Sequence, residues 1–155
     1  MSGKKLPPIR KSIDVHVPPA RAFDVFVRKM HDWWPAEYTP FPRSSIVIEP
    51  KADGRWYEKG VGGEEGNTGK VVEWQAPNRV VLAWQIDGTW KYDPKLVTEV
   101  EVRFTSDGNG GTHVALEHRD LDRIGELAEP TQAMMDGDEG WSALLKRYAA
   151  AVKGA

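Results

Sequence analysis

The chain changes its hydrophobic period twice, and those changes divide it into regions. In "IRKSIDVHV" (residues 9–17), Ile9, Ile13, Val15 and Val17 share one parity, while Arg10, Ser12, Asp14 and His16 take the other. Alternation of this kind predicts a half-buried strand. "PPARAFDVFVRKM" follows, with prolines suited to a helix start and with Ala22, Phe23, Phe26, Val27 and Met30 recurring at three and four residues. That is a helical apolar stripe, and Pro35 predicts its end, because the residue before a proline is driven out of helical geometry. The stripe closes on "KMHDWWP", residues 29–35, with Trp33 and Trp34 side by side. Adjacent side chains cannot both enter a core from the same side. Either one ring closes the core while the other lines or lids an entrance, or the two pack on different neighbours.

From residue 44 the period becomes two. "SSIVIEP" (44–50) and "RWYEKG" (55–60) are separated by "KADG", and Asp-Gly between strand-like runs is a hairpin signal. "TGKVVEWQ" (68–75) and "RVVLAWQI" (79–86) are joined by "APN", and "LVTEVEVRFT" (96–105) and "THVALEHR" (112–119) by the loop "SDGNGG". Short connections cannot make parallel crossovers, so these runs predict an antiparallel meander. "GVGGEEG" (60–66) reads as a hairpin loop. It precedes no helix, and its glutamates would repel a phosphate.

After residue 119 the pattern changes again. "LDRIGELAEPTQAMMDGDEG" reads as a polar connector holding a short helical turn. Trp141, Leu144, Leu145, Tyr148 and Val152 then mark one face of a long helix. Asp136, Asp138 and Glu139 stand at its start and Lys146, Arg147 and Lys153 in its later half, both favourable to the helix dipole. From Asp138 to Lys153 it would run about 24 Å. Strands in succession with separated helices predict an α+β fold, a curved antiparallel sheet wrapped around the long C-terminal helix, with short helices after the first strand. Residues 1–8 are expected to form a disordered tail and residues 9–153 a single domain.

Several stretches together carry a family resemblance: the helix ending in "WWP", "DGRWYE" (53–58), "TGKVVEWQAPNRVVLAW" (68–84), "TEVEVRFT", "GGTHVALEHR" and the terminal "GWSALLKRYAA". They resemble the helix-grip proteins of the START, Bet-v-allergen and polyketide-cyclase superfamily. More closely, they resemble the subfamily named after the activator of the heat-shock protein 90 ATPase. The resemblance spans roughly residues 9 to 152. It implies a helix-grip fold, with a cavity between sheet and terminal helix, and admits ligand carriers, cyclases and co-chaperone modules linked to stress responses.

Composition narrows the choice. The chain holds no cysteine, which removes disulfides, thiolate catalysis and cysteine-bound zinc. Net charge is −2 with pI about 6.1. That leaves no electrostatic footprint for nucleic acid or for an anionic membrane. "MSGKKLPP" lacks the apolar stretch of a signal peptide, and no apolar run is long enough to span a bilayer. The expectation is a soluble, cytoplasmic protein. Seven tryptophans are many for a small domain and suggest a thick core or a lined cavity.

Candidate chemistry is sparse. His118 shares the inward parity of Val114 and Leu116, so it either meets a ligand or bonds a neighbour at a strand end. Glu58 shares parity with Trp56; buried, it would have a raised pKa and serve as acid or base, and otherwise it is solvated or paired with an arginine. "DGDEGW" (136–141) is no calcium loop, having glycine where a third ligand belongs. His16, His31, His113 and His118 lack metal-ligand spacing, so neither metal nor other cofactor is expected. The reading is a binding protein for a small hydrophobic or aromatic molecule. Its expected lining is Trp33, Trp34, Trp56, Glu58, Trp84, Trp90, Val100, Leu116, His118, Trp141 and Leu145. Trp90 is expected in a loop beside the opening. The alternatives are a polyketide-cyclase-like enzyme using His118 or Glu58 as acid and base, and a co-chaperone-like module with a protein partner.

Overall fold

The computed structural model describes residues 6–154. Its seven strands form one antiparallel sheet: β1 (Ile9–Val15), β2 (Arg43–Ile48), β3 (Arg55–Gly60), β4 (Glu65–Gln75), β5 (Arg79–Trp84), β6 (Thr98–Ser106) and β7 (Thr112–Arg119). The spatial order is β1-β7-β6-β5-β4-β3-β2, so the meander is continuous and β1 closes back on the last strand. Four helices accompany it: α1 (Pro19–Val27), α2 (Met30–Trp33), α3 (Ala128–Asp136) and α4 (Trp141–Gly154). This is the α+β helix-grip arrangement expected, a curled sheet with the long C-terminal helix against it.

Curvature comes from register breaks. The pairing shifts between Trp56 and Tyr57 against β4, and between Val71 and Glu73 against β5. Such bulges bend a strand and increase its twist. Gly69 lies between them, where a Cβ would run into the carbonyl of Ala83. The sheet can fold so tightly there only because the position has no side chain.

Four expectations are corrected. The first helical stripe is two helices, because the chain leaves helical geometry at Lys29 before α2 begins. The connector contains the nine-residue α3 rather than a single turn, preceded by a 3₁₀ turn at Leu121–Ile124. Pro130 lies in the first turn of α3, where its missing N–H costs nothing. The terminal helix starts at Trp141, not Asp138, because Gly140 packs so closely on the backbone of Met135 that a Cβ would collide. Last, Glu65 and Gly66 belong to β4 rather than to the hairpin loop. Of the expected N-terminal tail, residues 1–5 lie outside the described residues, while Leu6 packs on the core and Pro7 accepts a hydrogen bond from Gln132.

The core lies between the concave face of the sheet and α1, α2 and α4. Val80, Leu82, Val100, Val102, Phe104, Val114 and Leu116 point inward from the sheet, as their parity predicts, and Leu144, Leu145, Tyr148 and Val152 meet them from α4. Among the described residues no helix is long and apolar enough to cross a membrane.

Candidate functional site

The peptide between α2 and β2, residues 34–42, runs as a strap across one end of the concave face. It contains Pro35, Pro40 and Pro42 and one 3₁₀ turn (Ala36–Tyr38). Under it the tryptophans meet. Trp34 is only 5% exposed and touches five other rings. Their centroids lie 5.7 Å away for Trp33, 6.1 Å for Tyr38, Trp84 and Trp141, and 6.2 Å for Trp56. Trp56 and Trp84 also touch each other at 5.7 Å. Most pairs are edge-to-face, the arrangement that the ring quadrupole favours.

The doublet posed by "WWP" is thereby resolved. Both rings are buried, on different neighbours. Trp33 packs against Phe26 and Tyr148, and its indole N–H donates to the Val25 carbonyl at 3.1 Å. Trp34 faces the opposite group of indoles. Two guanidinium groups hold this turn. Arg147 on α4 donates to the Trp33 carbonyl at 2.7 Å, and Arg43 donates to the Trp34 carbonyl at 2.6 Å, and to those of His31 and Pro35. The carbonyls that a helix end leaves unpaired are thus satisfied by arginine.

His118 sits beside this cluster with no exposed surface. The Trp141 indole N–H donates to its Nδ1 at 3.0 Å, which leaves the proton on Nε2. Nε2 lies 2.8 Å from the Thr98 hydroxyl and donates to it, and that hydroxyl donates to the Trp84 carbonyl at 3.0 Å. Burial pushes the imidazole down to about 3, so the ring is neutral. Both nitrogens are engaged. The chain of bonds ties two of the clustered tryptophans, one from α4 and one from β5, to adjacent strands.

Glu58 also faces inward. Thr39 of the strap donates its hydroxyl to Oε2 of Glu58, and Arg43 donates to the same hydroxyl at 3.3 Å. Burial raises the Glu58 carboxyl above its usual range, opposed by the Thr39 hydrogen bond and the Arg43 charge. A half-buried carboxyl group thus lies where the strap meets the sheet.

The remaining expected lining residues divide. Val100, Leu116 and Leu145 are buried within the same core. Trp90 is not part of the cluster: it stands 51% exposed at φ 66° in the turn following Asp87 and makes no ring contact among the described residues. The Asp87 carboxylate, which accepts from the backbone N–H groups of Thr89 and Lys91, fixes that turn. At one end of the expected hollow between sheet and helix the rings of Trp34, Trp56, Trp84 and Trp141 meet one another. Two surface concavities, of about 320 and 450 Å³, lie elsewhere, on the outer sheet face near Arg10 and Arg103 and beside Asp87 and Arg123. Among the described residues no group of three acidic or histidine side chains is gathered for a metal.

Sequence reasoning missed Thr39, Arg43 and Thr98. Thr98 carried a signal, being a polar residue on an otherwise apolar strand face. Arg43 and Thr39 carried none, because their roles depend on where the strap crosses the sheet.

A family model described as Activator of Hsp90 ATPase homolog 1-like protein matches residues 16–153. Among solved structures, the chain is similar to the anthrahydroquino-γ-pyrone synthase Txn09, with 35% identity, 94% of this chain and 97% of that one covered, and a TM-score of 0.67. It is also similar to CalC, a self-sacrificing resistance protein from Micromonospora echinospora, at 28% identity, 96% and 95% coverage and a TM-score of 0.69. The Aha1 dimer from Colwellia psychrerythraea shares the fold at 13% identity, 95% and 96% coverage and a TM-score of 0.62. Among curated proteins no relative matches the chain.

Proposed function

The chain belongs to the Activator of Hsp90 ATPase homolog 1-like family, and from that premise we propose that it binds a small aromatic molecule beneath the strap. The observation that carries this reading is the convergence of Trp33, Trp34, Trp56, Trp84 and Trp141 at one end of the concave face, with Glu58 beside them. Small-molecule sites are mostly apolar and aromatic with few placed polar groups. A guest enters by parting rings that now touch, with the strap as the movable wall: short, irregular and held largely by side-chain bonds. The likeness to Txn09, whose name gives it a fused aromatic product, supports the same class of ligand.

A second reading is catalytic, with Glu58 as acid and base in a cyclase-like reaction. Its raised pKa favours it, since an acid–base group works best when its pKa approaches the working pH. In that reading His118 is a positioning residue, because both its nitrogens are engaged. A cytoplasmic location fits both.

Titration of the protein with naphthalene or anthraquinone, followed by tryptophan fluorescence and melting temperature, tests the proposal. The expected result is saturable quenching with a rise in melting temperature that grows with ligand concentration. Quenching that stays linear with concentration, with no thermal shift, overturns it.

A further inference from the structure

The polar corner of the same site specifies what kind of aromatic molecule it takes, an inference that rests on the proposed function. Three charged or polar side chains meet there: Arg43, Thr39 and Glu58. Arg43 has five N–H donors. They are directed to His31 Nδ1, to the carbonyls of His31, Trp34 and Pro35, and to the Thr39 hydroxyl. Arg43 therefore has no donor left for an incoming anion. The Thr39 hydroxyl is equally committed, accepting from Arg43 and donating to Glu58. Glu58 differs: Oε2 takes the Thr39 hydroxyl, while Oε1 has no hydrogen-bond partner among the described residues. The corner offers a guest one unused acceptor and no unused donor.

Charge then selects among donors. Arg147 adds its positive charge to that of Arg43, as seen in the lowered pKa of Arg43, where burial is the main cause and Arg147 contributes. An ammonium group placed at Glu58 would meet the Arg43 guanidinium as well as the carboxylate, and the two charges offset. A carboxylate would be repelled by Glu58 and would find no free N–H. What remains is a neutral donor on an aromatic frame, short enough to reach a carboxylate oxygen while its ring stays among indoles.

We infer that the ligand carries a ring hydroxyl, a phenol or an enol of a fused aromatic system, and that it donates this hydroxyl to Oε1 of Glu58. Glu58 is then the specificity-determining residue of the site, and Thr39 and Arg43 position its carboxylate. A polar site built for a donor rejects the analogue that lacks one, because its acceptor is then left buried and unpaired.

The test compares 2-naphthol with 2-methoxynaphthalene, which share a ring system but differ in the donor, by calorimetric titration of the full chain. The expected result is tighter binding of the naphthol by about tenfold, the equivalent of one charged hydrogen bond. In Glu58→Leu that preference disappears, and the two probes bind with equal affinity. A Glu58→Gln variant, which keeps the shape and a neutral acceptor, retains a reduced preference and guards against misfolding of the leucine variant. Equal affinity of the two probes for the native chain overturns the hydroxyl inference and leaves aromatic binding standing. Failure of both probes to bind overturns both. Tighter binding of 2-naphthylammonium than of 2-naphthol also overturns the inference, since it makes Glu58 a cation receptor.

Discussion

The two faces of one sheet solve opposite problems. On the concave face, Trp56, Trp84, Thr98 and His118 take part in the closed set of rings and hydrogen bonds beneath the strap. On the convex face, one residue away along the same strands, lies a ladder of ions. Glu101 accepts from Arg79 at 2.5 Å, Arg119 at 2.6 Å and Arg103 at 2.7 Å, and Arg119 reaches Glu99 and Glu117 as well. Beneath it Val81 and Ala83 are buried although they face outward, covered by the aliphatic stems of long charged side chains. The polar groups of the inner face are few, and His118 and Thr98 are enclosed with their partners among buried side chains. Those of the outer face are many, shared and partly wet. The difference teaches where a substitution should matter: inside, removing one atom group orphans another; outside, remaining charges rearrange around the loss.

The comparison is broken most directly at Trp34. Trp34→Ala removes a ring that five others touch, and a loss of about 3–5 kcal/mol in chemical denaturation is expected. A loss below about 1 kcal/mol would mean that the cluster collapses to fill the gap, contrary to a rigid inner face.

His118→Ala comes next. It leaves the Trp141 N–H and Thr98 hydroxyl without their partner and should cost about 2–4 kcal/mol. The native chain should also show the pH signature of this residue. Its folded-state pKa of about 3 lies below the ordinary value of 6.5, so the unfolded chain binds the extra proton between those values. Stability from His118 is therefore complete above pH 6.5 and is lost as the pH falls toward 3. The gap between native and His118→Gln stability, measured from pH 7 downward, should narrow across that window. A gap independent of pH would contradict a neutral, buried imidazole.

Glu101→Gln sharpens the comparison from the other side. Burial pushes the Glu101 carboxyl up, but the hydrogen bonds and charges of Arg79, Arg119 and Arg103 outweigh it and hold the group below its usual range. Its contribution is present at neutral pH and is lost in acid as the carboxylate protonates. A cost of about 1–2 kcal/mol is expected, shrinking as salt is added. Salt-independent loss would place Glu101 with the inner face in behaviour. Arg103→Ala is the smallest change. Arg103 is largely exposed and is one of three partners, so less than about 0.5 kcal/mol should separate it from the native chain in thermal melts.

What could be read in the chain follows the same division. Strands β3 and β7 stand at the residues their alternation predicted, because a half-buried strand must place its apolar residues at every second position. Glu58 and His118 point inward for the same reason. Helix α3 was hidden because Gly125 and Pro130 interrupt a segment with no apolar stripe. Trp90 stands in a turn, as expected, but an indole in a loop looks the same in sequence whether it caps a core or stands in water.

By itself the sequence settled the meander, the terminal helix, the inward parity of Glu58 and His118, and an unusual supply of indole. These are local matters, since period and turn chemistry act over a few residues. Only the tertiary structure decided that His118 bonds Trp141 from another element, that Arg43 directs every donor to α2 and the strap, and that the indoles close on one another. Those facts depend on how far the sheet curls, and its curl arises from bulges and one glycine whose effect is felt many residues away.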